Sequence, residues 1–193
     1  MVLLLMKILW PVLRLFVRRV EGKLPKGQYI LAANHASFGD PALLISMVAW
    51  KQDKKLRMFA TNDPRWDKAF WRWWWKYTGA IKINGSLEKG LTAAKQGDLI
   101  GIFPEGRRSA DGRIHDTEHK GVGVIALKTG LPVVPVYLNT FWWWNKYRKI
   151  PSLKRNVIVR IGKPRKYKGK YSDARAKKVT QEVMEEIGRL KNA

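Results

Sequence analysis

A histidine and an aspartate stand five positions apart in the segment Asn34-His35-Ala36-Ser37-Phe38-Gly39-Asp40. The four residues between them let the chain turn back, so that the Asp40 carboxylate can accept a hydrogen bond from one imidazole nitrogen of His35. Such a contact fixes the tautomer and leaves the other nitrogen as a general base for a substrate hydroxyl. A structural His–Asp pair without catalysis is the alternative reading of these residues.

A second segment with chemical potential reads Phe103-Pro104-Glu105-Gly106-Arg107-Arg108-Ser109. Two arginines beside a glycine turn can form an anion receptor, because guanidinium groups match pairs of phosphate oxygens. A solvated basic loop is the alternative interpretation.

Both segments follow predicted strands, where the functional groups of open α/β sheets collect. The pattern predicts a helix over Pro41–Trp50, with Asp40 as its N-cap and Pro41 at its first position. Further elements alternate along the chain: strands over 28–33, 56–60, 80–83, 98–103, 132–138 and 157–161, and helices over 67–77, 87–95, 120–129 and from about 172. This alternation predicts one α/β domain with a mostly parallel twisted sheet flanked by helices.

The first 21 residues form a segment of their own, followed by a domain over 22–193. The apolar run is broken by Lys7 and Arg14, which argues against a transmembrane helix. At helical spacing, Lys7, Arg14, Arg18 and Glu21 share one stripe, and apolar residues cover the rest. This pattern predicts an amphipathic helix in the membrane interface with its charged edge toward water. An ordinary helix packed on the domain is the alternative.

Composition favours an anionic partner and excludes several kinds of site. The formal net charge is +23, and the chain contains no cysteine, which removes disulfides, thiolate zinc sites and cysteine nucleophiles. Blocks of tryptophan flanked by cations are typical of the lipid headgroup zone, so we expect an anionic membrane surface rather than nucleic acid as partner. The predicted docking residues are Trp10, Trp73, Trp74, Trp75, Trp142, Trp143 and Trp144. Some of these rings could instead fill the core.

His115 and His119 lie four positions apart, the spacing of a helical metal pair. They follow a turn signal, Ala110-Asp111-Gly112, and precede a glycine-containing helix. A polar loop is therefore predicted here, and no metal site.

The two chemical segments together resemble the 1-acyl-sn-glycerol-3-phosphate acyltransferase family of glycerolipid synthesis. The resemblance spans roughly 22–164 and includes Gly79-Ala80-Ile81, Lys120-Gly121 and Leu131-Pro132-Val133-Val134-Pro135-Val136. It implies that His35 is the base that deprotonates the acceptor hydroxyl and that Asp40 orients it. It implies acceptor or phosphate binding by Glu105, Gly106 and Arg108, and an acyl-donor site at Pro132, Val133 and Pro135. Lys82 and Arg107 are added to the predicted phosphate-binding residues as cations that could replace an arginine of the family pattern that this sequence lacks.

The same resemblance implies an O-acyltransferase that needs no metal or prosthetic group and uses acyl-CoA or acyl-carrier protein as co-substrate. The expected acceptor is a lysophospholipid, first 1-acylglycerol-3-phosphate, at the cytoplasmic face of the inner membrane. Two departures bear on this acceptor: Gly85 stands where the family usually has an arginine, and Arg107 where it commonly has threonine. A different lysolipid, an amino-acid lipid or a glycolipid therefore stays an alternative acceptor, and a non-catalytic basic protein that binds lipid or nucleic acid is a further alternative.

Overall fold

The computed structural model describes residues 2–61, 78–83, 87–148 and 150–193. Within these ranges the strands form one sheet in the order β1-β7-β6-β2-β5-β3-β4. The strands are β1 (Val17–Glu21), β2 (Ile30–Ala33), β3 (Leu56–Thr61), β4 (Ile81–Ile83), β5 (Leu99–Ile102), β6 (Val133–Asn139) and β7 (Val157–Ile161). The helices are α1 (Val2–Arg14), α2 (Asp40–Gln52), α3 (Glu88–Lys95), α4 (Gly121–Thr129) and α5 (Asp173–Lys191).

The sheet is parallel from β6 to β4, and only the β6–β7 pairing is antiparallel among the described strands. Strands β2, β5 and β6 therefore end at the same edge, which we call the carboxyl edge. This arrangement confirms the predicted α/β fold with a mostly parallel sheet, and it brings the two chemical segments of the sequence to one edge.

Alternation along β2 explains why helices cover both faces of the sheet. Leu31 and Ala33 point into a core that is shared with α1 and α2, whereas Ile30 and Ala32 point into the core beneath α3, α4 and α5. All four side chains are fully buried, as expected for a central parallel strand. Burial of Ile30 and Leu31 contributes about 1.5–3 kcal/mol each, so β2 is a stable base for the residues that follow it.

The N-terminal segment differs from the helix predicted over residues 1–20. Helix α1 ends at Arg14, and residues 17–21 form strand β1, which pairs in parallel with β7. Lys7 pairs with Asp53 at 2.6 Å instead of facing water alone. β-branched Val17 and Val20 fit a strand better than a helix, and Val17 is fully buried.

Trp10 does not face outward, so its assignment to membrane docking is wrong. Its side chain is 5% exposed and lies in the core shared by α1 and α2, because Met6 and Trp10 occupy the inner face of α1. The outer face carries Leu4, Ile8, Val12 and Leu15, each more than half exposed. None of the helices in the described ranges is long and apolar enough to cross a membrane.

Candidate active site

His35 and Asp40 face each other at the carboxyl edge, directly after β2. The Nδ1 atom of His35 lies 2.9 Å from Oδ2 of Asp40, so the contact predicted from their spacing is present. Asp40 is fully buried, and the His35 side chain is 13% exposed. Because Asp40 occupies Nδ1, Nε2 is the nitrogen left for a substrate hydroxyl.

The Asp40 side chain accepts hydrogen bonds from the turn that precedes α2 and does not cap that helix. The predicted N-cap role is wrong: Gly39 is the N-cap residue of α2, without a capping side chain. The backbone N–H groups of Ala36 and Ser37 donate to Oδ2 of Asp40, each at 2.8 Å. The Thr140 hydroxyl donates to Oδ1 at 2.6 Å. With these donors directed at it, the carboxylate can only accept, so the imidazole proton lies on Nδ1 of His35.

The segment after β5 holds the backbone of His35 from both sides. The carboxylate of Glu105 accepts a hydrogen bond from the His35 N–H at 2.9 Å. The Ser109 N–H donates to the His35 carbonyl at 2.7 Å. The two sequence segments therefore form one structural unit, in which the two arginines lie between the residues that bind the His35 backbone.

Glu105 is itself unusual, because its carboxyl group is 7% exposed. Burial raises the pKa of Glu105 to about 7, against the opposing effect of hydrogen bonds from the backbone N–H groups of His35 and His115. A buried carboxyl group with these contacts acts on the backbone of the site. Its acceptor-binding role stays a prediction.

Two aromatic rings, Phe103 and Phe38, contact side chains of the site. The Phe103 ring stacks on the His35 imidazole with centroids 4.0 Å apart and an interplanar angle of 10°. The guanidinium of Arg108 lies 3.9 Å from the centre of the Phe38 ring, a cation–π distance. Stacking restricts the His35 and Arg108 side chains, and Arg107, the neighbour of Arg108 in sequence, is more exposed than Arg108.

Gly106 turns the arginine segment back toward the sheet with φ of +69°. This backbone angle favours glycine, and a Cβ atom built there would lie 2.6 Å from Nε2 of the exposed His119 ring, which would have to move. Residues 113–120 form no helix, which confirms the predicted polar loop. In that loop His115 bonds Asp111 through Nε2 at 2.8 Å, whereas His119 lies against Gly106.

The chain after β6 binds the turn over residues 34–40 from the other side. The Trp144 carbonyl accepts hydrogen bonds from the Phe38 N–H at 2.9 Å and the Ser37 hydroxyl at 3.0 Å. The Trp143 ring fills the space beside Gly39, where a Cβ atom would lie 2.3 Å from a ring carbon.

These contacts correct the docking prediction for the second tryptophan block. Trp143 is 3% exposed and packs against Phe16 with ring centroids 5.7 Å apart, so its assignment to docking is wrong. Trp142 points outward and is 64% exposed. Trp144 is half-buried, with its ring 5.7 Å from that of Phe38. The predicted docking residues Trp73, Trp74 and Trp75 lie outside the described residues.

Other predicted site residues do not lie next to the His35–Asp40 pair. Pro132 and Val133 lie at the start of β6, beside Ile30, which is at the opposite edge of the sheet from His35. Val133 is fully buried, and Pro135 contacts Gly162. Lys82 is exposed on β4, three strand positions from β2, or about 14 Å at ordinary strand spacing. Gly85 lies outside the described residues.

Three contributors to the site were not assigned a role from sequence. Asn34 joins β2 to β6, since its amide exchanges two hydrogen bonds with the Leu138 backbone, at 3.0 and 2.7 Å. Phe103 stacks on the imidazole, and Thr140 binds Asp40. Thr140 carries the same signal as His35, a polar residue directly after a buried strand, but its partner lies 100 residues away in sequence.

Comparison with known proteins gives a consistent result. A family model described as Acyltransferase matches residues 15–139. The chloroplastic 1-acyl-sn-glycerol-3-phosphate acyltransferase BAT2 of Brassica napus is 46% identical over 118 residues, which are 56% of this chain and 32% of that protein. A similarly named chloroplastic protein of Arabidopsis thaliana, LPAT1, is 29% identical over 118 residues, covering 56% of this chain and 31% of the relative.

A solved structure resembles nearly the whole chain. The 1-acyl-sn-glycerophosphate acyltransferase PlsC of Thermotoga maritima superimposes with a TM-score of 0.75 at 25% identity, covering 99% of this chain and 80% of that one. The chain spans about a third of the length of the two plant relatives. The matched region contains the histidine–aspartate turn, the arginine segment and all of β6. The chain therefore belongs to the acyltransferase family.

Proposed function

We propose that this chain moves a fatty acyl group from an acyl thioester, on CoA or on a carrier protein, to the hydroxyl of a lysophospholipid. The first candidate acceptor is 1-acylglycerol-3-phosphate, the substrate in the names of the plant relatives. The main support is the way Glu105 and Ser109 bind the backbone of His35, at 2.9 and 2.7 Å. A base and a pair of guanidinium groups thereby share one edge of the sheet, as this reaction requires.

The proposed step needs one base and no covalent enzyme intermediate. Nε2 of His35 takes the proton of the acceptor hydroxyl while that oxygen attacks the thioester carbonyl carbon. The tetrahedral intermediate collapses, the carbon–sulfur bond breaks, and the His35 imidazolium gives its proton to the leaving thiolate, which regenerates the base. The products are an ester and a free thiol. Asp40 stabilises the imidazolium that forms between these events.

The acceptor phosphate binds at Arg107 in this proposal. Arg107 is exposed in the segment between Glu105 and Ser109, the two residues that bind the His35 backbone. A guanidinium offers two parallel hydrogen bonds to phosphate. Lys82 lies about three strand spacings from β2, roughly 14 Å, and this proposal assigns it no contact with the phosphate. Arg107 then supplies the charge from the position where threonine is common.

The central test is His35→Ala with purified protein, acyl-CoA and a panel of lysolipids. We expect loss of thiol release and ester formation, with the melting temperature and vesicle binding retained. His115→Ala is the matched control, because His115 binds Asp111 in a surface loop. Because the chain has no cysteine, a thiol-reactive chromophore measures only the released CoA. Full activity in His35→Ala would refute the mechanism.

A docking face on the membrane side completes the proposal. We define it as the outer face of α1 together with the exposed apolar residues after β6: Leu4, Leu5, Ile8, Val12, Leu15, Trp142, Tyr147, Ile150 and Leu153. The C-terminal end of α1 reaches the carboxyl edge, where Phe16 contacts Trp143. Exposed Lys146, Arg148 and Lys154 lie among these residues. Apolar side chains interleaved with cations fit an anionic bilayer surface, such as the cytoplasmic face of the inner membrane.

Flotation with vesicles tests the docking face. Combined Ile8→Ser and Leu15→Ser substitutions, and separately Trp142→Ser with Leu153→Ser, each reduce the fraction bound to anionic vesicles at physiological salt. Tyr171→Ser is the control, since Tyr171 is exposed on the α5 side of the sheet. Unchanged flotation in both pairs would contradict the assignment, and binding to DNA that exceeds binding to vesicles would favour a nucleic-acid partner.

A further inference from the structure

Thr140 is a buried hydroxyl at the carboxyl edge that the proposed reaction has not used. It follows β6 and is fully buried. Its Oγ1 lies 2.6 Å from Oδ1 of Asp40, the oxygen that does not contact His35. A hydroxyl placed in this way does not touch substrate, and its effect on chemistry can only pass through Asp40.

The contacts of Asp40 show why one more donor matters. Oδ2 of Asp40 receives three donors, from the His35 ring and the backbone N–H groups of Ala36 and Ser37. Those two N–H groups belong to the same turn as Asp40, so they move with it. Thr140 lies directly after β6, outside this turn. Its hydroxyl therefore links the carboxylate itself to a separate part of the sheet.

We infer that Thr140 is a positioning residue for catalysis, which holds the Asp40 carboxylate in the plane that directs Nε2 of His35 toward the acceptor hydroxyl. The inference rests on the proposed function, in which His35 is the base. Without the hydroxyl, the carboxylate turns about its Cβ–Cγ bond, and the Nδ1–H bond that orients the imidazole loses its alignment. Substrate binding is unaffected, because no substrate contact is removed.

The test compares Thr140→Val, which keeps the shape and removes the donor, with Thr140→Ser, which keeps the donor. For Thr140→Val we expect kcat to fall by about tenfold to a hundredfold, the size of a lost hydrogen bond to a charged group, with KM for the lysolipid within about threefold. Thr140→Ser restores kcat to within about threefold of the parent. The matched control is Thr180→Val, because Thr180 is an equally buried threonine that bonds Ala176 and Gly123 within the α4–α5 packing.

A spectroscopic measurement separates positioning from packing and does not depend on turnover. With 15N-labelled histidine, the parent protein gives a His35 Nδ1–H signal, assigned by its loss in His35→Gln. We expect this signal to be broadened or lost in Thr140→Val and kept in Thr140→Ser and Thr180→Val. If Thr140→Val does not fold, Thr140→Ala is compared with Thr140→Ser on the same two measurements.

Some results would overturn the inference. One is a Thr140→Val protein with kcat within threefold of the parent and an unchanged His35 signal. Another is loss of activity that Thr140→Ser does not restore, which would assign Thr140 to packing. If the parent protein acylated none of the lysolipids, the proposed function would fail, while the His35 signal would still decide whether Thr140 orients the pair.

Discussion

Asp40→Asn isolates the charge of Asp40 from its hydrogen bonds. The amide oxygen can take the place of Oδ2 and accept from the His35 ring and the N–H groups of Ala36 and Ser37. The amide NH2 then faces Thr140, whose hydroxyl can rotate and accept. The turn is therefore kept, and the variant lacks only the negative charge next to the imidazolium that forms during the reaction.

The magnitude follows from the distance between the two groups. At the 2.9 Å that separates Nδ1 of His35 from Oδ2 of Asp40, opposite unit charges attract by about 6 kcal/mol at an effective dielectric constant of about 20. That energy corresponds to roughly a 10⁴-fold effect on rate. The amide dipole recovers part of it, so we expect kcat to fall by about 10²- to 10⁴-fold.

Stability provides the internal control for this variant. Asp40→Ala leaves the Ala36 and Ser37 N–H groups and the Thr140 hydroxyl without their acceptor in a fully buried site. Each orphaned donor costs about 1–3 kcal/mol, so Asp40→Ala should unfold several kcal/mol more easily than Asp40→Asn. The assays are thiol release for kcat and denaturant unfolding for stability. An Asp40→Asn protein with kcat within threefold of the parent would refute the charge argument, and equal stability of the two variants would refute the hydrogen-bond argument.

Further predictions concern the arginine segment, the buried carboxyl group and the packing of the turn. Arg107→Ala should raise KM for lysophosphatidate by about 10- to 100-fold, the value of a charge-assisted pair, and leave a phosphate-free monoacylglycerol unaffected; Arg113→Ala in the neighbouring loop is the control, and an equal effect on both acceptors would contradict phosphate binding. Burial raises the pKa of Glu105 to about 7 in the folded state, whereas its pKa in the unfolded chain is about 4.5. This group therefore lowers the free energy of unfolding by up to about 3 kcal/mol as pH rises from 4.5 to above 7, and the stability difference between parent and Glu105→Gln should change by that amount across this range; a difference independent of pH would contradict it. Gly39→Ala should cost about 1–3 kcal/mol, because its Cβ meets the Trp143 ring at 2.3 Å, whereas Gly188→Ala in α5, where a Cβ has nothing within 4 Å, should stabilise by about 0.5–1 kcal/mol; similar melting temperatures for the two would argue against the packing role of Trp143.

The central part of the fold follows directly from sequence pattern. Strands such as β2 and β7 are short β-branched or apolar runs bounded by turn residues, and α5 begins at Ser172, whose side chain accepts from the Arg175 N–H. These are local signals, and the predicted bounds agree with the structure to within about two residues. The contact of His35 with Asp40 is also local, since five positions separate them.

What the sequence did not predict depends on contacts between distant positions. The sequence pattern predicts that Val17 and Val20 belong to a helix. In the structure they pair with β7, which is distant in sequence. Trp10, Trp142 and Trp143 have the same composition signal, but only the packing of α1 and of the chain after β6 decides which rings face inward. Thr140 could not be assigned to Asp40, because nothing local reveals a partner 100 residues away.

The chain that follows β6 both supports the turn that bears His35 and carries exposed apolar side chains. On its inner side, the Thr140 hydroxyl and the Trp144 carbonyl form hydrogen bonds with the turn that bears His35, and the Trp143 ring packs against Gly39. On its outer side, the side chains of Trp142 and Ile150 are exposed to solvent. If the proposed docking and mechanism hold, exchanging this stretch for that of a relative to suit another bilayer would also replace residues that support the turn bearing His35. A change of lipid preference would therefore require substitution of the outward-facing side chains one at a time, with the inward-facing side chains kept.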